Sequence, residues 1–301
     1  MLEEKRMTTP QTPVAAGVGQ SINKDNSIVT EKKPEHNGEA DKISELLRKL
    51  TQRQNPNTLP VVSLGELMDM EFPIVEPIIE NMLYQGTYLL AGAPKIGKSF
   101  LVGQLAYHIS TGTPFLGNRV RQGAVLYLAL EDTHQRLQER FARMFGEEIE
   151  GELFLSVSAK QLGKGLQEQM KEFVNQHKNA SLIVIDTLQK VREVGGDAYS
   201  YASDYELMNQ FKTFGEQHGV SILMVHHTRK QQAGDSFDMI SGTTGLLGCA
   251  DGAFVMKKEK RTDNRATLEL VGRDQPDQKL YLLRNEENLQ WELEGVEREL
   301  W

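Results

Sequence analysis

The run Gly92-Ala93-Pro94-Lys95-Ile96-Gly97-Lys98-Ser99 constrains this 301-residue chain more than any other segment. The apolar stretch Thr87 to Ala91 leads straight into it, and a helix-period stretch over 98 to 110 follows, so the spacing G-x-x-x-x-G-K-[ST] sits at a strand-to-helix turn. Each residue type has a reason there. Gly92 and Gly97 permit backbone angles and a close approach that a Cβ would block, so successive N–H groups can converge on an anion. Lys98 adds a point charge, Ser99 a hard oxygen ligand suited to Mg²⁺, and the starting helix its positive dipole end. The segment predicts a loop that cradles the phosphates of a nucleoside triphosphate, ATP by preference, together with Mg²⁺.

Around the loop, short apolar runs alternate with longer helical stretches. Ala124–Leu130, Leu153–Val157, Leu182–Ile185 and Val220–Val225 read as buried strands, separated by helices across His134 to Met144 and at about 165–178 and 204–217. Such alternation predicts an α/β fold on a parallel sheet flanked by helices. After Ala253–Met256 the pattern turns hairpin-like, with antiparallel strands expected at Ala266–Val271, Lys279–Leu283 and Leu289–Leu293. The domain is expected over 75–285, with an acidic segment at 286–301. Residues 1–40 are polar and lack apolar periodicity, which predicts a disordered arm. A linker over 41–74 carries a short amphipathic helix on Ile43, Leu46, Leu47 and Leu50, and a second at Gly65 to Met70 opened by Ser63 and Glu66.

Composition limits the function classes. No apolar run approaches the roughly 20 residues that span a bilayer, and the N-terminus has no apolar core of a secretion signal, so no membrane partner is expected. Cys249 is the single cysteine, which fits a reducing cytoplasm and excludes a cysteine-based zinc finger within the chain. A net charge of −8 is not that of a protein that coats nucleic acid by bulk electrostatics, so any such contact must be local.

Three further strand ends carry candidate chemistry. Leu182–Ile185 is followed by Asp186, placed to hold Mg²⁺ through water, although an aspartate there also makes a good turn or cap. In AVLYLALED, Glu131 follows the strand after the phosphate-loop helix, at the edge that faces the ligand crevice of an open parallel sheet. It is the candidate general base. The competing reading is a helix N-cap, a role open equally to Asp132. His226 and His227 follow the strand VSILMV; His227 is the candidate sensor of the terminal phosphate, the competing reading being a local hydrogen-bonding role, and a metal site on the pair is disfavoured because adjacent strand residues face opposite ways.

With GAPKIGKS, Glu131 in YLALED, LIVIDT, VHHTRK and the later SGTTGLLGCAD on the page, the chain resembles the RecA-like hexameric helicase lineage over about residues 75–285. It is most similar there to the RepA-type replicative helicases of plasmids and mobile elements, sometimes grouped as AAA ATPases. The resemblance implies a RecA-like P-loop NTPase fold and a homo-oligomeric ring, a hexamer by preference, acting on single-stranded DNA with replication partner proteins. It also implies that Lys98 and Ser99 hold phosphate and Mg²⁺, Glu131 activates water, Asp186 coordinates through water and His227 senses the γ-phosphate. Members close the site with a basic finger from the next subunit. The RepA-type arginine is missing at Gly252 to Phe254, which leaves Lys257 and Lys258 as candidates, with Arg261 behind them and Arg273 as a further possibility. A solvated hairpin tip is the plainer reading of KKEKR. Loops over about 190–204, with Tyr199 and Tyr201, and 229–242 are the implied nucleic-acid contacts. A RecA-like switch or loader that does not unwind DNA is the alternative function, and a small-molecule kinase is a third, disfavoured by Glu131.

Overall fold

A computed structural model of the chain describes residues 59, 61–72, 76–148, 150–192, 200–228, 236–240, 244–260 and 262–298. The arm over 1–40, the helix expected at 43–50, Arg261, and most of the two loops expected to meet nucleic acid, Tyr199 included, lie outside these residues. The chain divides into a unit ending at Phe72 and one running from Pro73 to Trp301. In the first, α1 (Leu64–Met68) opens on a capping box. The Ser63 hydroxyl accepts from the Glu66 N–H, and the Glu66 carboxylate accepts from the Ser63 N–H at 2.8 Å.

The second unit follows one sheet. In chain order it runs β1 (Thr87–Gly92), α2 (Lys98–Thr111), β2 (Ala124–Ala129), α3 (His134–Phe145), β3 (Leu153–Ser156), α4 (Leu166–Gln176), β4 (Ala180–Asp186), α5 (Leu188–Val191), α6 (Tyr201–His218), β5 (Ser221–His227), α7 (Thr244–Cys249), β6 (Gly252–Lys257), β7 (Arg265–Gly272), β8 (Gln278–Arg284) and β9 (Trp291–Arg298). The nine strands lie in the order β3-β2-β4-β5-β1-β6-β7-β8-β9. The neighbours from β3 to β6 pair in parallel and those from β6 to β9 antiparallel. This is the mainly parallel sheet with C-terminal antiparallel strands that the alternation predicts.

Strand periodicity splits the core in two. Tyr88, Leu90, Tyr127, Val184 and Val225 pack with Leu101, Leu105 and Phe141 of α2 and α3 on one face. Leu89, Ala91, Ile183, Ile185 and Met224 pack with Leu207 and Phe211 of α6 on the other. Because both faces are covered, β1 and the central part of β4 read as unbroken apolar runs instead of alternating ones. The face assignment also sorts the two histidines. His226 follows the parity of Met224, and His227 that of Val225, which faces α2.

The last strand differs from expectation. Leu289 sits at φ 63° inside the β8–β9 turn, where the Asn285 carboxamide oxygen accepts from the N–H groups of Glu287 and Asn288. This Asx turn consumes the residues read as the strand's start, so β9 begins at Trp291 and extends the sheet into the stretch set apart as an acidic tail.

Candidate active site

Four parallel strands, adjacent in the order β2-β4-β5-β1, end side by side. Ala129 is in register with Asp186, Asp186 with Val225, and His227 with Gly92. The register therefore gathers the phosphate loop, Asp186, His227 and the turn carrying Glu131 along one edge of the sheet, where an open parallel sheet forms its crevice.

The loop is built on glycine where sterics demand it. A Cβ on Gly92 would lie 2.7 Å from the Met256 carbonyl oxygen, and Gly97 adopts φ 105° at the N-cap of α2. Lys98 is only 6% exposed, and its ammonium donates to the carbonyls of Gly92 at 2.7 Å and Ala93 at 3.0 Å. Burial pushes its pKa down to about 8, against the attraction of Asp186 and Glu131. Among the described residues no carboxylate forms an ion pair with it. A buried cation held only by carbonyl oxygens at a helix N-terminus fits a polyanion such as triphosphate.

Asp186 ends β4 and is almost fully buried. Burial raises its pKa, while hydrogen bonds from Ser99 and Tyr127 oppose the rise; the Tyr127 hydroxyl donates to Asp186 Oδ2 at 3.0 Å. A hydroxyl and a carboxylate in mutual contact form the hard-oxygen pair that suits Mg²⁺, whose other ligands are commonly phosphate and water. The following peptide, Asp186–Thr187, is cis.

Glu131 lies in the turn after β2, where the Thr187 hydroxyl donates to its Oε1 at 3.3 Å. Neither it nor Asp132 caps α3. Thr133 does so by accepting from the Arg136 N–H at 3.3 Å, and Asp132 pairs with Arg140 at 2.5 Å. With the capping role filled by Thr133, the Glu131 carboxylate is left to face Lys98, Asp186 and His227, each of which feels its charge. Burial, then Lys98, lowers the His227 pKa, which favours the neutral imidazole. Its Nδ1 is buried without a hydrogen-bond partner among the described residues. His226 and His227 have ring centroids 6.5 Å apart.

The basic candidates separate. Lys257 and Lys258 stand at the end of β6, beside the loop, since Met256 is in register with Gly92. Both are engaged within the chain. Lys257 bonds the Ser236 hydroxyl and lies 3.5 Å from Glu269, while Lys258 donates to the Asp263 carbonyl at 2.6 Å and stands 5.2 Å from the Trp291 ring centre. Arg273 sits at the other end of the sheet. It lies 3.5 Å from Asp251, which also accepts from the Thr87 N–H at 3.0 Å, so Arg273 does not reach the loop of its own chain. The reason is strand direction: β7 runs antiparallel to β6, which brings Gly272 back beside Gly252. Tyr201 opens α6 and stacks on Tyr205 at 6.2 Å, both exposed.

Several contributors escape a reading of motifs. Tyr127 and Thr187 orient the two carboxylates, and the only sequence sign of Tyr127 is a hydroxyl inside an apolar strand. Phe100, in the first turn of α2, has the guanidinium groups of Arg284 at 4.1 Å and Arg140 at 4.9 Å over its ring. Nothing in their spacing along the chain announces that cluster.

Comparison with known proteins agrees with this architecture. The AAA domain family matches residues 51–233. No curated protein matches in sequence. Among solved structures, one described as an ATPase domain superposes with a TM-score of 0.59 at 13% identity, over 85% of this chain and 99% of that one. A DnaB-like replicative helicase, described with its interactions with primase, gives 0.59 at 13% over 84% and 76%. At these identities the likeness is one of fold, the RecA-like arrangement of helicase ATPase domains.

Proposed function

Because the chain belongs to the AAA domain family, we propose that it is an ATP-hydrolysing RecA-like motor on single-stranded DNA, of the RepA replicative type. The observation that carries the proposal is the gathering of Lys98, Ser99, Asp186, Glu131 and His227 at one edge of four adjacent parallel strands. In this reading the loop N–H groups and Lys98 bind the β- and γ-phosphates. Ser99 and Asp186 hold Mg²⁺, which when bound screens phosphate charge and stabilises the charge that develops on transfer. Glu131, steadied by Thr187, orients the attacking water and takes its proton. His227, neutral and with Nδ1 unengaged, hydrogen-bonds the terminal phosphate and passes its loss to the segment that follows β5.

The site is completed between copies of the chain in a ring, six by preference, with Lys257 and Lys258 of the next copy as the basic finger. Lysine lacks the planar fork of arginine, so this contribution is the weaker kind. Single-stranded DNA is the proposed track and replication proteins the proposed partners. A second reading, a switch or loader that hydrolyses ATP without unwinding, is favoured by the net charge of −8 and by the in-chain partners of both lysines. ATPase measured with and without single-stranded DNA, beside strand displacement on a forked duplex, separates the two. The motor reading expects DNA-stimulated turnover with displacement; stimulated turnover without displacement selects the switch, and no turnover at all rejects both.

A further inference from the structure

We propose that Trp291 is a positioning residue for the phosphate loop, holding Gly97 in the left-handed conformation from which the loop meets an anion. The inference deepens the reading of Gly92–Ser99 as a triphosphate site and rests on it. Trp291 opens β9, is 1% exposed, and lies against the loop from 194 residues away in sequence. A Cβ built on Gly97 would fall 2.8 Å from Trp291 Cζ2, so the indole edge occupies the space beside this glycine. The indole N–H donates to the Gly97 carbonyl at 3.4 Å, a long bond that orients more than it holds.

The ring is itself fixed. The Gln104 carboxamide, buried in α2, accepts from the Trp291 N–H at 2.8 Å and donates to the Trp291 carbonyl at 2.9 Å. Both of its polar ends are satisfied by the backbone of one residue. The helix that begins with Lys98 and Ser99 therefore clamps Trp291, and Trp291 presses on the residue just before that helix. Among the described residues, Lys258 stands 5.2 Å from the ring centre and Arg284 at 6.0 Å.

The consequence follows from glycine's freedom. Gly visits both signs of φ with similar ease, so an unsupported Gly97 would have to be ordered by the ligand at a cost in affinity. A ring that fills the neighbouring space orders the loop beforehand. Loss of that support weakens nucleotide binding and leaves the chemical step, carried by Glu131 at the other side of the site, far less affected. A tryptophan that served only the core would lower stability without dividing KM from kcat in this way.

The test uses the full chain. Trp301→Phe leaves Trp291 as the only indole, because the chain has two tryptophans. In that protein Mg-ATP is expected to change the emission saturably, and the added substitution Lys98→Ala to remove the change. Trp291→Phe, which keeps a ring but loses the donor, is expected to raise KM for ATP about threefold, within the range that one hydrogen bond spans. Gln104→Ala, which spares the indole and frees its backbone, is expected to raise KM about tenfold, as two lost hydrogen bonds allow. In both, kcat should fall by much less than KM rises. A wild-type chain that binds ATP by equilibrium dialysis, with KM unchanged in both variants or with kcat falling as far as KM rises, overturns the Trp291 assignment and leaves the nucleotide site standing. A wild-type chain that binds no nucleotide overturns the site and this assignment together.

Discussion

In the parallel half of the sheet, β2, β4, β5 and β1 bring Glu131, Asp186, His227 and the phosphate loop to one edge by register alone. Where the antiparallel half begins, the end of β6, parallel to β1, reaches the same edge with two lysines already occupied, Lys257 by Ser236 and Glu269, Lys258 by the Asp263 carbonyl. One half carries polar groups whose best partners are a ligand: a buried ammonium on carbonyls, and a histidine Nδ1 without a partner among the described residues. The other half carries cations that the chain itself satisfies. On the proposed reading, a single chain gathers the hydrolytic side of the site, while the basic side would have to exchange its present contacts to serve a neighbour.

The largest break in this comparison is expected from Lys98→Ala. Loss of the buried Lys98 ammonium at the loop should weaken ATP binding by at least about a hundredfold, the scale of a strong charge-assisted contact, as read by dialysis. Next is Tyr127→Phe. Asp186 would lose one of the hydrogen bonds that offset its burial, and a buried carboxylate short of one partner should cost about tenfold in kcat/KM. The loss should be greatest at limiting Mg²⁺, because the hydroxyl removed is bonded to Asp186, the proposed metal ligand.

The pH dependence sharpens the same half. Burial holds the Lys98 pKa near 8 in the free protein, and bound triphosphate favours the charged form. Above pH 8, ATP binding should therefore take up a proton, and affinity should fall by up to about tenfold per pH unit. Calorimetry in buffers of different ionisation enthalpy would read an uptake of nearly one proton at about pH 9. The sign for folding is the opposite. Between about 8 and the ordinary value of 10.5, the unfolded chain binds more protons at this site than the folded one, so the stability of the free protein gains from Lys98 as pH rises through that window.

The smallest effect is expected from Lys257→Ala and Lys258→Ala, a fall in turnover of about tenfold or less, with ATP binding intact. Mixing either variant with Glu131→Gln should recover activity if a neighbour supplies the lysine. Absence of recovery under conditions that exchange subunits would confine both lysines to their own chain.

Much of the parallel half was legible in the sequence, and for a physical reason. Gly92, Gly97, Lys98 and Ser99 are consecutive because one turn must supply them, and Asp186 and His227 are marked by the apolar strands they end. Each is a local signal. What escaped depended on long-range register. Tyr127 reaches Asp186 only because β2 lies beside β4, and Trp291 reaches Gly97 only because the sheet continues to β9 and Gln104 clamps that strand's first residue. The Asx turn at Asn285 likewise moved the start of β9 past Leu289, a shift that apolar content alone does not reveal. Arg273 lies away from the loop of its own chain because strand direction, not proximity to a motif, decides which edge a residue occupies.

The most direct test is the kinetics of Glu131→Gln with ATP and Mg²⁺. The substitution keeps the shape of the side chain and the hydrogen bond from Thr187 while removing its basicity. The account expects affinity for ATP within about twofold of wild type and a loss in kcat of about a hundredfold or more, the usual scale of a general base. Turnover equal to wild type would contradict it, for the hydrolytic half would then work without the carboxylate that the strand ends bring to it.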